Sequence, residues 1–86
     1  MNREQELLIV LSEECGEIVQ AVSKIHRFGK SIANQQRLEQ EIGDFMGVLK
    51  LIVEEGYIDG FRLPELGEEK IAKLEKYMNN KADPDG

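Results

Sequence analysis

The chain has 86 residues, 41% of them hydrophobic and 33% charged, with a net charge of −6, which is typical of one small globular domain. The negative charge argues against a nucleic-acid polymer as the main partner, because a phosphate backbone requires basic patches. An anionic small molecule remains compatible if a cation lies between it and the protein. Cys15 is the single cysteine, so no intrachain disulfide can form and a cytoplasmic setting is expected. The N-terminal apolar run is too short for a signal peptide or a membrane span.

A first helix is predicted from about Arg3 to Arg27, and Gly29 is suited to cap its C-terminal end. Its apolar residues recur at spacings of three and four, which is the helical period. They are Leu7, Leu8, Leu11, Cys15, Ile18, Val22 and Ile25. Cys15 belongs to this stripe, and we expect it to be buried as a small hydrophobic residue.

A second helix is predicted from about Asn34 to Glu55, ended by Gly56. Its apolar stripe consists of Leu38, Ile42, Phe45, Met46, Leu49, Ile52 and Val53. Gly43 and Gly47 lie inside it, where each costs roughly 1 kcal/mol relative to alanine. They either permit the close approach of another helix or are tolerated on the surface.

A turn-rich stretch, residues 56–67, precedes a shorter third helix from about Glu68 to Met78. Residues 1–80 are therefore expected to form one domain, and the polar residues 81–86 a disordered tail. The fold class predicted is all-α: two long helices form an antiparallel hairpin, with the third helix packed across them. Because two long helices make a poor core, we expect a homodimer or homotetramer to complete a helical bundle.

Acidic residues accompany both apolar stripes. At about 100° per residue, Glu14 falls about 20° outside the first stripe and Glu17 about 60° further round. Glu41 and Asp44 lie in the same manner beside the second stripe. If the two helices pack antiparallel, these four carboxylates can converge.

Four converging negative charges would repel one another strongly unless they are compensated. A raised pKa, salt bridges or a hard divalent cation such as Mg²⁺ or Mn²⁺ would each compensate them. Any single glutamate in an acidic helical protein is most often a solvated surface residue, and Glu13, which points toward Glu6 and Lys24, fits that description. For the four acids together, spacing alone leaves open whether a metal ion, salt bridges or protonation compensates the charge.

The residues "EECGE" at 13–17, followed after 23 residues by "EIGD" at 41–44, resemble the EExxE…ExxD signature of the MazG-type all-α nucleotide pyrophosphohydrolases. The wider superfamily includes dimeric dUTPases. The stretch "KIHRFGK" at 24–30 is similar to the end of the first core helix in small MazG-like proteins. The resemblance covers roughly residues 5–56.

This resemblance implies Mg²⁺-dependent hydrolysis of a (deoxy)nucleoside triphosphate between its α and β phosphates, giving the monophosphate and pyrophosphate in a house-cleaning or nucleotide-pool role. It implies that Mg²⁺, or alternatively Mn²⁺, is held by four ligands. These would be Glu14, Glu17, Glu41 and Asp44. Glu13 matches the leading glutamate of the motif and would have a catalytic role, either by helping to bind a second metal or by orienting water.

The basic residues Lys24, Arg27 and Lys30 at the end of the first helix are candidates for contacts with phosphate or with a partner subunit. Their alternative role is to complement the helix dipole. Lys70 on the third helix would reach the triphosphate if that helix lies over the site, and is otherwise solvated. Two rival functions also remain: a helical interaction module whose acids form intersubunit salt bridges, and a family member that binds nucleotide without hydrolysing it.

Overall fold

A computed structural model describes residues 1–80, which form three α-helices. They are α1 (Arg3–Phe28), α2 (Ile32–Glu54) and α3 (Leu63–Tyr77), with a short 3-10 helix (Gly60–Arg62) directly before α3. No strand occurs among these 80 residues. The all-α prediction is therefore confirmed, and the bounds of the first two helices lie within two residues of those predicted. The tail predicted to be disordered, residues 81–86, lies outside the described residues.

Helix α1 begins with a capping box formed by Asn2 and Gln5. The backbone N–H of Gln5 donates to Oδ1 of Asn2, and the backbone N–H of Asn2 donates to Oε1 of Gln5, each at 2.8 Å. These two bonds satisfy donors that a helix start otherwise leaves free, and they define where α1 begins.

A three-residue connection, residues 29–31, joins α1 to α2. Gly29 has a φ of 96°, which a residue with a Cβ rarely adopts. The side-chain amide of Asn34 donates to the carbonyl of Gly29 at 2.9 Å, and the Ser31 hydroxyl accepts from the backbone N–H of Asn34 at 3.1 Å. This short turn reverses the chain direction, and an ion pair of 2.6 Å between Arg3 Nε and Glu55 Oε1 joins the opposite ends of the two helices. The hairpin is therefore antiparallel, as predicted.

The buried face of the hairpin runs through the acidic residues. Among residues 1–80, the buried hydrophobic residues are Leu7, Ala21 and Ile52, and Glu14 lies seven residues from both Leu7 and Ala21. Since seven residues are about two helical turns, Glu14 occupies the same line of α1 as its two most buried residues. Glu41, at 8% exposure, is itself buried in α2. Glu14 and Glu41 therefore lie between the helices, whereas the helical wheel places them beside the apolar stripes.

The apolar stripes are only partly buried in the single chain. Cys15 is exposed, so the prediction that it is a buried small hydrophobe is wrong. Val22, Ile42 and Met46 are also exposed. The line of α1 that contains Glu14 and the small side chain of Ala21 faces α2, and the opposite edge of each predicted stripe consequently faces outward.

Helix α3 starts five residues earlier than predicted, because Pro64 lies in its first turn. The sequence predicts that this proline interrupts helical structure, but the fixed φ of proline is also compatible with the first turn of a helix. Residues 64–77 are all exposed, so the prediction that α3 packs across the hairpin is wrong for the single chain. The 3-10 helix does approach α2: a Cβ at Gly60 would lie 2.7 Å from Cγ1 of Val53.

Two further findings complete the fold. A Cβ at Gly43 or at Gly47 would meet no atom within 4 Å among residues 1–80 apart from the adjoining backbone of α2, so neither glycine is required for packing within the described chain. None of the helices in that part of the chain is long and apolar enough to cross a membrane.

Candidate metal centre

Three carboxylates converge between α1 and α2. Glu14, Glu41 and Asp44 each offer one oxygen, and these atoms all lie within 4.8 Å of one another. The hairpin register explains the convergence. Starting from the Arg3–Glu55 ion pair, eleven residues inward along each helix lead to Glu14 on α1 and Asp44 on α2. Glu41, three residues before Asp44, occupies nearly the same face of α2.

The cluster has a buried side and an open side. Glu41 is buried, Glu14 is half-buried and Asp44 is exposed. Oε2 of Glu14 is buried and has no hydrogen-bond partner among the described residues. A buried carboxylate oxygen without a partner is costly unless a cation or a proton compensates it. The open side, next to Asp44, is where a ligand from solvent can approach.

The charges of the site act most strongly on Glu14. Its pKa is raised above the ordinary value of 4.5, first because burial disfavours the charged form, and then because nearby carboxylates repel it. In decreasing order of effect, these carboxylates are Asp44, Glu41, Glu17 and Glu13. The site therefore carries a local excess of negative charge that a bound cation would relieve.

The donor set fits a hard divalent cation. Mg²⁺ and Mn²⁺ prefer oxygen ligands, and all three groups are carboxylates. The three oxygens lie within 4.8 Å of one another, so small side-chain adjustments would let all of them contact one ion.

Glu17, the fourth predicted ligand, forms an ion pair with Arg37. Nη2 of Arg37 lies 3.5 Å from Oε2 of Glu17, while Nε of Arg37 donates to Oε1 of Glu41 at 3.1 Å. Arg37 thus bridges the two helices through one acid on each. The structure brings Glu17 to the edge of the site, but not into the three-carboxylate group.

Sequence reasoning missed Arg37 and Gln40. The Gln40 side-chain amide donates to Oδ1 of Asp44 at 2.8 Å, which restrains that carboxylate. A signal was present, because Arg37 precedes Glu41 by four residues and Gln40 precedes Asp44 by four, the spacing at which helical side chains meet. That spacing did not reveal that Arg37 also reaches Glu17 on the other helix.

The remaining predicted site residues are exposed. Glu13 points to solvent, as do Lys24, Arg27 and Lys30 at the turn end of the hairpin. Lys24 follows Glu14 by ten residues, about 15 Å along the helix axis. The Arg27 guanidinium lies over the ring of Phe28, 4.9 Å from its centre.

Lys70 is also exposed, on α3. Among residues 1–80, no salt bridge joins any of these four basic residues to the carboxylate cluster. The single chain therefore places the predicted metal ligands near one another and leaves the predicted phosphate contacts apart from them.

Comparison with known proteins agrees with the acid motif. The family defined by the MazG nucleotide pyrophosphohydrolase domain matches residues 2–80. No curated protein and no solved structure shows a significant match. The matched region includes all three helices and every acid of the site. The chain therefore belongs to the MazG nucleotide pyrophosphohydrolase domain family.

Proposed function

We propose that this protein hydrolyses a nucleoside or deoxynucleoside triphosphate between the α and β phosphates, releasing the monophosphate and pyrophosphate, with Mg²⁺ or Mn²⁺ as cofactor. The observation that carries the proposal is the approach of Glu14, Glu41 and Asp44 to within 4.8 Å of one another. The unpartnered buried oxygen of Glu14 supports it, because a bound cation would compensate that atom. Family membership supports the reaction class.

Glu14, Glu41 and Asp44 would hold the cation, with Glu17 as a fourth ligand at the edge of the site. When bound, a divalent cation neutralises phosphate charge and lowers the pKa of bound water. Neutralising phosphate charge matters in this protein, whose net charge of −6 would otherwise repel a triphosphate.

The protein's own contribution is to restrain an acid of the site before substrate arrives. The Gln40 side-chain amide restrains Asp44 by a bond of 2.8 Å. Fixed ligands bind a cation without the entropic cost of ordering them. The exposed Glu13 lies one residue from Glu14, and we propose that it orients water at the open side of the site.

We propose that Lys24, Arg27, Lys30 and Lys70 contact phosphate groups across a homo-oligomer. About 15 Å of helix separates Lys24 from Glu14, too far for contact with a phosphate at the carboxylates of the same chain. Exposed apolar side chains on both long helices support association, with Val19 at 67% exposure and Met46 at 61%. Burying them against a second chain would enlarge a core that is small in the single chain. The cytoplasmic setting remains a prediction from the single cysteine.

Two alternatives make different predictions. The first is a helical interaction module whose acids form intersubunit salt bridges. Arg37 already pairs with Glu17 and Glu41 within the chain, which supports compensation of these acids by basic side chains, and such a module would show neither a Mg²⁺-dependent thermal shift nor hydrolysis. A family member that binds nucleotide without turnover would show the thermal shift and no product.

The test is a panel of standard, deoxy and modified nucleoside triphosphates incubated with Mg²⁺, read by pyrophosphate release. We expect pyrophosphate and the monophosphate from at least one substrate. Glu14→Gln should abolish the product, while Glu39→Gln should preserve it, since Glu39 is an exposed acid on α2 away from the cluster. Release of inorganic phosphate without pyrophosphate would contradict the proposed cleavage position.

A further inference from the structure

Arg37 makes two contacts that differ in geometry. Its Nε–H bond to Glu41 is 3.1 Å long and joins residues four apart on one helix. Its contact with Glu17 on the other helix is 3.5 Å long, beyond the usual range of an N–H···O bond. The Glu17 side chain is also 45% exposed, and exposed ion pairs contribute little free energy. Arg37 is therefore anchored at Glu41 and holds Glu17 weakly.

The same two carboxylates are acids that a divalent cation would use. Glu41 belongs to the three-carboxylate cluster, and Glu17 follows Glu14 by three residues on α1, so the two side chains lie on neighbouring positions of one helix face. A guanidinium on Glu17 and Glu41 lowers the negative charge available to an incoming cation. The two positive groups also repel each other when both occupy the site.

We infer that Arg37 acts as a built-in counter-ion that competes with the divalent cation for Glu17 and Glu41, and thereby sets the metal affinity of the site. This inference rests on the proposed function, because it concerns the same cation. Arg37 is a positioning residue: it acts through the two acids. In the metal-free protein it stabilises the hairpin by partly neutralising Glu17 and Glu41. On metal binding, its contact with Glu17 is released.

This role requires effects of opposite sign on the metal-free protein and on metal binding. An interaction that stabilises the metal-free state relative to the metal-bound state weakens metal binding by the same free energy. Removing Arg37 should therefore destabilise the metal-free protein and tighten metal binding. A purely structural arginine would destabilise the fold without tightening metal binding, and a residue that only oriented the ligands would weaken binding when removed.

The experiment measures the dissociation constant of Mg²⁺ alone by isothermal titration calorimetry, together with thermal unfolding in EDTA and in saturating Mg²⁺. Arg37→Met keeps most of the side-chain volume and removes the charge. We expect it to bind Mg²⁺ about tenfold more tightly, the order expected for a divalent cation a few ångströms from a guanidinium in a well-solvated site. Its melting temperature should be lower than that of the wild type in EDTA, and the gap should narrow in Mg²⁺.

Three further variants isolate the cause. Arg3→Met removes the same charge and an ion pair of the same type at the far end of the hairpin, and should change Mg²⁺ affinity less than twofold. Adding Glu17→Gln to Arg37→Met should remove most of the gain in affinity, because the freed ligand is then lost. Arg37→Lys keeps the charge but cannot span both acids as a guanidinium does, so its affinity should be intermediate even if Arg37→Met folds poorly.

Unchanged or weaker Mg²⁺ binding in both Arg37 variants would overturn the inference, as would equal tightening in Arg3→Met or binding in neither the wild type nor Arg37→Met. The pyrophosphate assay judges the proposed function separately. Tighter binding in Arg37→Met from a protein that releases no pyrophosphate would support the counter-ion role and reject the hydrolase. Pyrophosphate release by the wild type, together with unchanged Mg²⁺ affinity in the Arg37 variants, would support the hydrolase and reject the counter-ion role.

Discussion

Glu14 of α1 and Asp44 of α2 bring carboxylate oxygens within 4.8 Å of each other across the hairpin. The two residues are far apart in sequence and meet because each lies eleven residues inward from the Arg3–Glu55 ion pair that joins the helix ends. Helix register is thus what assembles the site. Substituting either Glu14 or Asp44 should therefore weaken metal binding and turnover more than it destabilises the fold.

The first prediction concerns that pair. Glu14→Gln and Asp44→Asn should each lower pyrophosphate release at least about a hundredfold, because a neutral amide is a weak ligand for a hard cation. Helical content by circular dichroism should remain at the wild-type level, since both substitutions preserve side-chain shape. Turnover equal to that of Glu39→Gln, the control on the exposed side of α2, would exclude the two acids as metal ligands.

A second prediction follows from the raised pKa of Glu14. An acid whose pKa is raised in the folded state binds its proton more tightly there than in the unfolded chain. Its contribution to stability is therefore fully present below pH 4.5, its ordinary pKa, and is lost as the pH rises through the higher folded value. In EDTA, the contribution of Glu14 should therefore lower the melting temperature as the pH rises above 4.5.

Glu14→Gln should flatten that part of the pH profile, because the amide does not titrate. The other groups near the cluster remain in the variant and provide the internal background. They are Asp44, Glu41, Glu17, Glu13 and Arg37. An identical slope in the wild type and in Glu14→Gln would show that Glu14 does not carry the effect.

The third prediction concerns metal removal. A ligand present at a hundred times its dissociation constant stabilises the folded state by about 2.7 kcal/mol, which corresponds to roughly 10–20 °C in the melting temperature of a domain of this size. We therefore expect a large upward shift with Mg²⁺ and its reversal by excess EDTA. KCl at matched ionic strength is the control. If Mg²⁺ acted only by screening the repulsion among the carboxylates between α1 and α2, KCl would raise the melting temperature equally.

A fourth prediction compares two glycines of opposite environment. Gly60→Ala places a Cβ 2.7 Å from Cγ1 of Val53 and should cost about 1–3 kcal/mol through overpacking. Gly43→Ala meets no atom of the described chain within 4 Å apart from the adjoining backbone of α2 and should stabilise α2 by about 1 kcal/mol, the difference in helix propensity. Chemical denaturation measures both free energies of unfolding. Destabilisation by Gly43→Ala would place that glycine against a second chain and would support the homo-oligomer.

The site was only partly predictable from single residues. Glu14 and Glu17, like Glu41 and Asp44, form a pair three residues apart beside an apolar stripe, which is a local pattern that the sequence shows. Arg37 was not found, because its second partner, Glu17, lies on the other helix and a helical wheel contains no information about that helix. The start of α3 was misplaced because Pro64 is compatible with both a break and a helix start.

By itself, the amino-acid sequence determined the helices and the acids that they carry, since helical period, capping residues and glycine stops act within a few residues of one another. Only the tertiary structure decided which face of each helix is buried. The line through Glu14 and the small Ala21, rather than the one through Cys15 and Val22, faces α2. That choice depends on how closely two helices can approach, which no single helix specifies, and it places the acids inside the hairpin.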